Sequence, residues 1–181
     1  PPILSAGGML PTKNFISGSF EKAEDIGGKK LAETILKGRG TCHGCYIRCK
    51  REVEAHTPYE INAEYGGPEY ETLAGLGADC GIVDGAAVSL ANELCGAYAL
   101  DTISAGGSIA FAMECFEKGL LTTKETGGLE FRFGNIDAML KALELIAKQE
   151  GFGKFLALGA KRMAEKIGHN SIDFSIQSKG L

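Results

Sequence analysis

Between Asp84 and Gly119 the chain carries two helix starts and one stop in close succession, and this run restricts the fold more than any other feature. Asp84 and Asp101 each precede a stretch of small and apolar residues, where a carboxylate can accept the orphan amides of a first helical turn. We expect one helix over 85–98 and a second reaching 118. The second carries Ile103, Ile109, Phe111, Ala112, Met113 and Phe116 as a buried set and closes on Gly119. Further helix signals surround this pair. Pro68 suits the first turn of a helix over 69–76, because a proline there loses only a donor that would be unpaired anyway. Asn135 caps a helix over 136–149 whose Met139, Leu140, Leu143, Ile146 and Ala147 draw an apolar stripe, stopped by Gly151. Another spans 154–167 and ends on Gly168, and an earlier one is secure over 29–37.

Residues 1–20 are rich in Gly, Ser and Pro and are expected to be extended or looped, and 122–134 a loop. The stretch 51–67 permits a short strand or an irregular crossover, and both stay open. The expected class is therefore all-α: a multihelical domain with irregular packing and an N-terminal extended segment. Residues 1–20 would be a remnant of, or linker from, a preceding domain, and 21–181 the helical domain. The 26 glycines, many between and inside helices, point to close helix crossings or to backbone approaching a bulky ligand. The opening Pro1-Pro2 and the apolar stretch Ile172–Ile176, which needs a neighbour, suggest a piece of something larger.

A net charge of −4 among 181 residues gives no reason to expect a nucleic-acid or anionic membrane partner. There is no apolar run for a membrane span and no signal-peptide pattern, so the expected compartment is the cytoplasm. Six cysteines could form three disulfides in a secreted chain, but their distribution argues otherwise. Cys80, Cys95 and Cys115 stand alone and are expected in the core, as free cysteine is among the most buried residue types. Cys42, Cys45 and Cys49 instead form C-x2-C-x3-C, with thiolates that can converge on an iron–sulfur cluster, which usually takes four cysteines. The nearby cations Arg48 and Lys50 favour thiolates. A structural zinc site completed by His43 and His56 is the rival, although no second cysteine pair appears.

Two further constellations stand out. Gly66-Gly67-Pro68-Glu69-Tyr70-Glu71-Thr72 puts two carboxylates in a first helical turn, where they either complement the helix dipole or, if one turns inward, take up proton transfer. The segment from Asn92 to Ser104 is either a tight corner between helices or a place where clustered N–H groups and Asp101 hold a polar heterocycle.

Five segments together resemble the tungsten-containing aldehyde ferredoxin oxidoreductase family: Met9–Phe15, the cysteine triplet, Gly67–Thr72, Leu100–Ser104 and Ala112–Gly119. The resemblance implies a large enzyme in which a β domain covers a tungsten (or molybdenum) bis-pterin and two helical domains lie behind it, this chain being the first helical one. It implies that Cys42, Cys45 and Cys49 bind a 4Fe-4S cluster whose fourth cysteine lies beyond Leu181. It also implies that Glu71, with Glu69 as fallback, manages protons beside the metal, aided by a histidine from another domain. Leu100 and Asp101 would bind pterin, although Gly96 and Ala99 replace the first Asp and the Gly of the family's D-x-x-G-L-D segment. The implied reaction oxidises a small aldehyde to a carboxylic acid and passes electrons singly to ferredoxin; this chain alone would be inactive. A homodimer is compatible with it, but the iron-bridging E-x-x-H pattern of some members is absent. The alternatives are a non-catalytic iron–sulfur or zinc-binding helical module, or a relative that reduces an aromatic thioester.

Overall fold

In the computed structural model, which describes residues 1–180, the chain is mostly helical, with a single two-stranded sheet among the described residues. Helix α1 spans Pro2–Ala6 and α2 Gly28–Thr34. Strand β1 (Leu36–Gly40) pairs antiparallel with β2 (Lys50–Val53), with Leu36 opposite Val53 and Gly40 opposite Lys50. The short helix α3 (Tyr70–Thr72) runs directly into a π-helix over Leu73–Ala78. Then follow α4 (Gly85–Tyr98), α5 (Thr102–Glu117), α6 (Ile136–Lys148), α7 (Gly153–Leu156), α8 (Gly159–Ile167) and a 3-10 turn, Ser171–Phe174.

The caps act where the sequence places them. Asp84 accepts the amides of Ala86 and Ala87, Asp101 that of Ser104, and Asn135 that of Ala138. Helix α5 is the centre of the molecule: Ile109, Phe111, Met113 and Cys115 are fully buried, and Phe131, Met139, Leu143, Leu156 and Met163 from the later elements close over the core. Cys80, Cys95 and Cys115 are buried, as expected. The turn at Ser171–Phe174 finds its neighbour in α5, since the Phe174 ring lies 5.5 Å from that of Phe111 and under the Lys118 ammonium at 4.9 Å.

Four details differ from the sequence expectation. A helical turn forms at Pro2–Ala6 where a loop was expected, because prolines fit a first turn; Leu10 and Phe20 then enter the common core. The helix from residue 29 stops at Thr34, and residues 36–40 turn into β1 because β2 is available to pair with them. The expected helix 154–167 is two pieces, broken where Gly159 takes φ +79°. Most consequentially, the helix expected over 69–76 widens after Thr72, and the amide of Asp79 reaches back five residues to the carbonyl of Ala74 at 2.8 Å. The sequence Leu-Ala-Gly-Leu-Gly-Ala there has small residues against α5. A Cβ at Gly106 would stand 2.7 Å from the carbonyl carbon of Gly75, so the two backbones cross in direct contact.

Candidate active-site cavity and cysteine loop

A cavity of about 910 Å3 opens between α3, the π segment, the start of α5 and the region of α8, at the upper end of the range for small-molecule sites. Glu71, Leu100 and Asp101 all face it. Glu69 does not: its carboxylate lies 3.6 Å from the Arg51 guanidinium, on the side of the sheet. Glu71 and Glu69 are two residues apart and so leave a helix in different directions, which is why only one of them can serve the cavity.

The widened turn has a consequence for the cavity wall. In a regular α-helix, residues 71 and 79 would be offset by about 80° around the axis, at roughly 100° per residue. The π geometry removes most of that offset, and Glu71, Gly75 and Asp79 all line the cavity. Asp79 is only 2% exposed. Its Oδ1 accepts the amide of Phe15 at 3.0 Å, and its backbone carbonyl accepts the amide of Asn14 at the same distance. These amides are aimed by a turn in which Lys13, Asn14 and Phe15 have φ of 51°, 53° and 60°. Three consecutive left-handed non-glycine residues are costly, and the contacts to Ala78 and Asp79 hold them. Burial pushes the Asp79 carboxyl up to about 6, with the Glu114 carboxylate adding to the rise and the Phe15 and Asn14 amides opposing it. Sequence reasoning missed this residue; the signal was a lone acid within the apolar run from Leu73 to Ile82.

The corner before α5 is the tight turn of the first of the two readings, with Asp101 capping α5. Ala99, standing where the family pattern has glycine, takes φ 54° and ψ 40° and closes α4. The amides of Ala99 and Leu100 bond to the carbonyls of Gly96 and Cys95 at 3.4 and 2.9 Å, so the expected cluster of N–H groups is spent within the corner. Asp101 is likewise engaged: hydrogen bonds from Ser104, side chain first and then amide, hold its carboxyl below the usual range. At Gly96 a Cβ would come within 3.2 Å of the Tyr65 ring, so an acidic side chain there would have to displace that ring. What the corner offers a ligand is a fixed backbone edge with one ionised carboxylate.

A large pterin-type heterocycle fits the cavity in size and in the polar groups at its rim. Among the described residues no cysteine or histidine lines it, so a metal there would be carried by its organic ligand rather than by this chain.

The cysteine triplet lies elsewhere, in the loop joining β1 to β2. Gly40 opposite Lys50 fixes the loop's ends, and Thr41 Oγ1 bonds to the carbonyls of Cys45 and Ile47 within it. The Arg48 guanidinium turns to the carbonyl of Arg39, 3.1 Å from Nε, and braces the loop against β1. All three thiols are exposed, as is Tyr46 at 94%. Among the described residues no three Cys, His, Asp or Glu side chains converge as a metal site. His56 is turned to Glu60 at 2.8 Å. Three soft thiols on a nine-residue loop are a donor set suited to three corners of an iron–sulfur cluster.

A family model described as "Aldehyde ferredoxin oxidoreductase, domains 2 & 3" matches residues 1–181. The chain is 39% identical over 180 residues to the tungsten-containing aldehyde ferredoxin oxidoreductase of Pyrococcus furiosus, covering 99% of this chain and 29% of that protein. It is 33% identical over 153 residues to the aliphatic sulfonate oxidoreductase, WOR-like subunit, of the same organism, covering 82% of this chain and 24% of the relative. Among solved structures it resembles the active-site complex BamBC of benzoyl coenzyme A reductase in complex with 1,5-dienoyl-CoA. That match has a TM-score of 0.65 and 22% identity and covers 84% of this chain and 22% of the other, a likeness of fold. The chain thus spans less than a third of the length of the curated relatives it matches.

Proposed function

Because this chain belongs to the aldehyde ferredoxin oxidoreductase family, we propose that it forms the cavity-bearing and cluster-bearing part of an enzyme that oxidises aldehydes to carboxylic acids with ferredoxin as electron acceptor. The observation that carries the proposal is the convergence of Glu71, Leu100 and Asp101 on one cavity, although they come from different elements. Leu100 and Asp101 would hold the edge of a tungsten or molybdenum bis-pterin, and Cys42, Cys45 and Cys49 would hold a 4Fe-4S cluster. When bound, these groups supply two-electron chemistry at the aldehyde carbon and single-electron transfer outward.

The chain's own residues do the rest. The walls from Ile103, Ala105, Leu156 and Leu158 are apolar, which favours an aldehyde over water. Glu71, at the exposed end of the stripe, takes the proton released as a water oxygen becomes a carboxylate oxygen, and returns it to solvent. The cluster's fourth ligand comes from outside residues 1–181, because Cys80, Cys95 and Cys115 are fully buried in the core. Their distance from ligand chemistry is reinforced by burial, which pushes the Cys95 and Cys115 thiols up to about 12. Ferredoxin and a second copy of the protein are the partners proposed for the assembled enzyme.

Metal and sulfide analysis of the full-length protein, purified without oxygen and assayed for aldehyde-dependent ferredoxin reduction, tests this. Iron, sulfide and tungsten or molybdenum with turnover are expected. Stoichiometric zinc without iron would overturn the proposal in favour of a zinc-stabilised module.

A further inference from the structure

Asp79 is the buried carboxylate that this mechanism leaves unused, and its surroundings are unusually specific. The Phe15 amide donates to Oδ1 at 3.0 Å and the Asn14 amide also lies against the carboxyl, while among the described residues no side chain donates to Asp79. The side chain is 2% exposed, yet it lines the cavity, eight residues along the same stripe from Glu71. A nearly buried acid on a cavity wall, positioned by backbone amides and engaged by no side chain among the described residues, keeps acceptor capacity for a ligand.

Resting on the proposed aldehyde oxidation, we propose that Asp79 is the carboxylate-recognising residue of the cavity: it holds the acid product by sharing one proton between Asp79 Oδ2 and a product oxygen. The step is a non-covalent, proton-coupled binding in which one proton from solvent is taken up as a carboxylate binds and is returned when it leaves. Two carboxylates in an apolar cavity cannot both stay ionised in contact, so the pair keeps one proton. Losing that proton places two like charges together and expels the product, which makes Asp79 a release device.

The charges around Asp79 agree with this. Glu114 of α5 lies near enough to raise its proton affinity and is itself paired with Lys118 at 3.3 Å and with the Asn14 amide group. The neighbouring Cys80 thiol is held neutral by burial. Around the cavity stand the carboxylates Glu71 and Asp101, the phenols Tyr70 and Tyr98, and Arg162 of α8. Among the described residues no cation is paired with Asp79 to keep it ionised, so near neutral pH its proton is available at modest cost.

The test is calorimetric binding of benzoate to the full-length holoprotein in buffers of different ionisation enthalpy, with benzamide as the neutral control. In the wild type, benzoate binding should take up about one proton at pH 7–8 and weaken about tenfold per pH unit there, while benzamide binding is independent of pH. In Asp79→Asn, which keeps the acceptor for Phe15, the proton uptake should vanish. The wild-type measurement stands even if that variant does not fold. Absence of benzoate binding at millimolar concentration, binding without proton uptake, or uptake retained in Asp79→Asn would each overturn the proposal. A protein that shows the proton linkage but oxidises no aldehyde would overturn the proposed function and leave this inference standing. One that turns over aldehydes without the linkage would do the reverse.

Discussion

The cavity and the cysteine loop are both chemistry-bearing regions, but the chain builds them by different means. The cavity is made of core: its carboxylates project from helical segments whose other faces are buried, and its wall includes the Gly75 backbone, which packs directly on Gly106 behind it. The loop is made of surface: a nine-residue excursion from a two-stranded sheet, its three thiols and Tyr46 exposed. The cavity has its shape from this chain's own packing, whereas under the proposed function the loop presents donors whose assembly would fall to a metal group and a further ligand. The difference teaches that one protein segment can build a cavity by packing and still present an open set of thiols on its surface.

The sharpest way to break the comparison is Cys45→Ser in the full-length enzyme. Ferredoxin-linked turnover should fall to background with loss of the cluster's iron, while tungsten or molybdenum content stays unchanged; loss of both metals together would mean that the two regions are not separable. Next in size is Glu71→Gln, expected to cut turnover by roughly 10²–10⁴-fold with both metals retained. Glu69→Gln, which disturbs only the partner of Arg51, should leave the rate nearly unchanged in the same assay. Equal effects from the two would mean that facing the cavity is not what matters.

A smaller effect tests the backbone crossing behind the cavity wall. Gly106→Ala places a methyl group where the Gly75 backbone stands, and should destabilise the protein by about 1–3 kcal/mol in denaturant titration, with no change in bound iron. Smallest is Ala99→Gly, which relieves a left-handed alanine at the corner before α5. A gain of at most about 1 kcal/mol is expected, and a loss would show that the alanine side chain has a packing role.

How legible each region was follows from the range of its signals. Asp84, Asp101 and Asn135 were readable because a cap is a local contract between a side chain and amides two or three residues on. The proposal for Cys42, Cys45 and Cys49 rests on the same kind of signal, as their spacing is a property of one short segment. The π segment was not, since six residues cannot distinguish a turn of 3.6 from a wider one, and what widens it is α5, a partner distant in sequence. Asp79 was hidden with it: only the wider turn brings the residue onto the stripe of Glu71, and only the left-handed turn at Lys13–Phe15, from the other end of the chain, fixes its carboxylate. The strand β1 was hidden because Leu36-Lys37-Gly38-Arg39-Gly40 has no alternation of its own and is a strand only beside β2.

The contact of Gly75 with Gly106 also sets how that part of the cavity wall can respond to what enters. A wall made of side chains can re-sort its rotamers around a new guest, but peptide against peptide has no such freedom. Where Gly75 lines the cavity, a guest therefore meets a surface that does not give way.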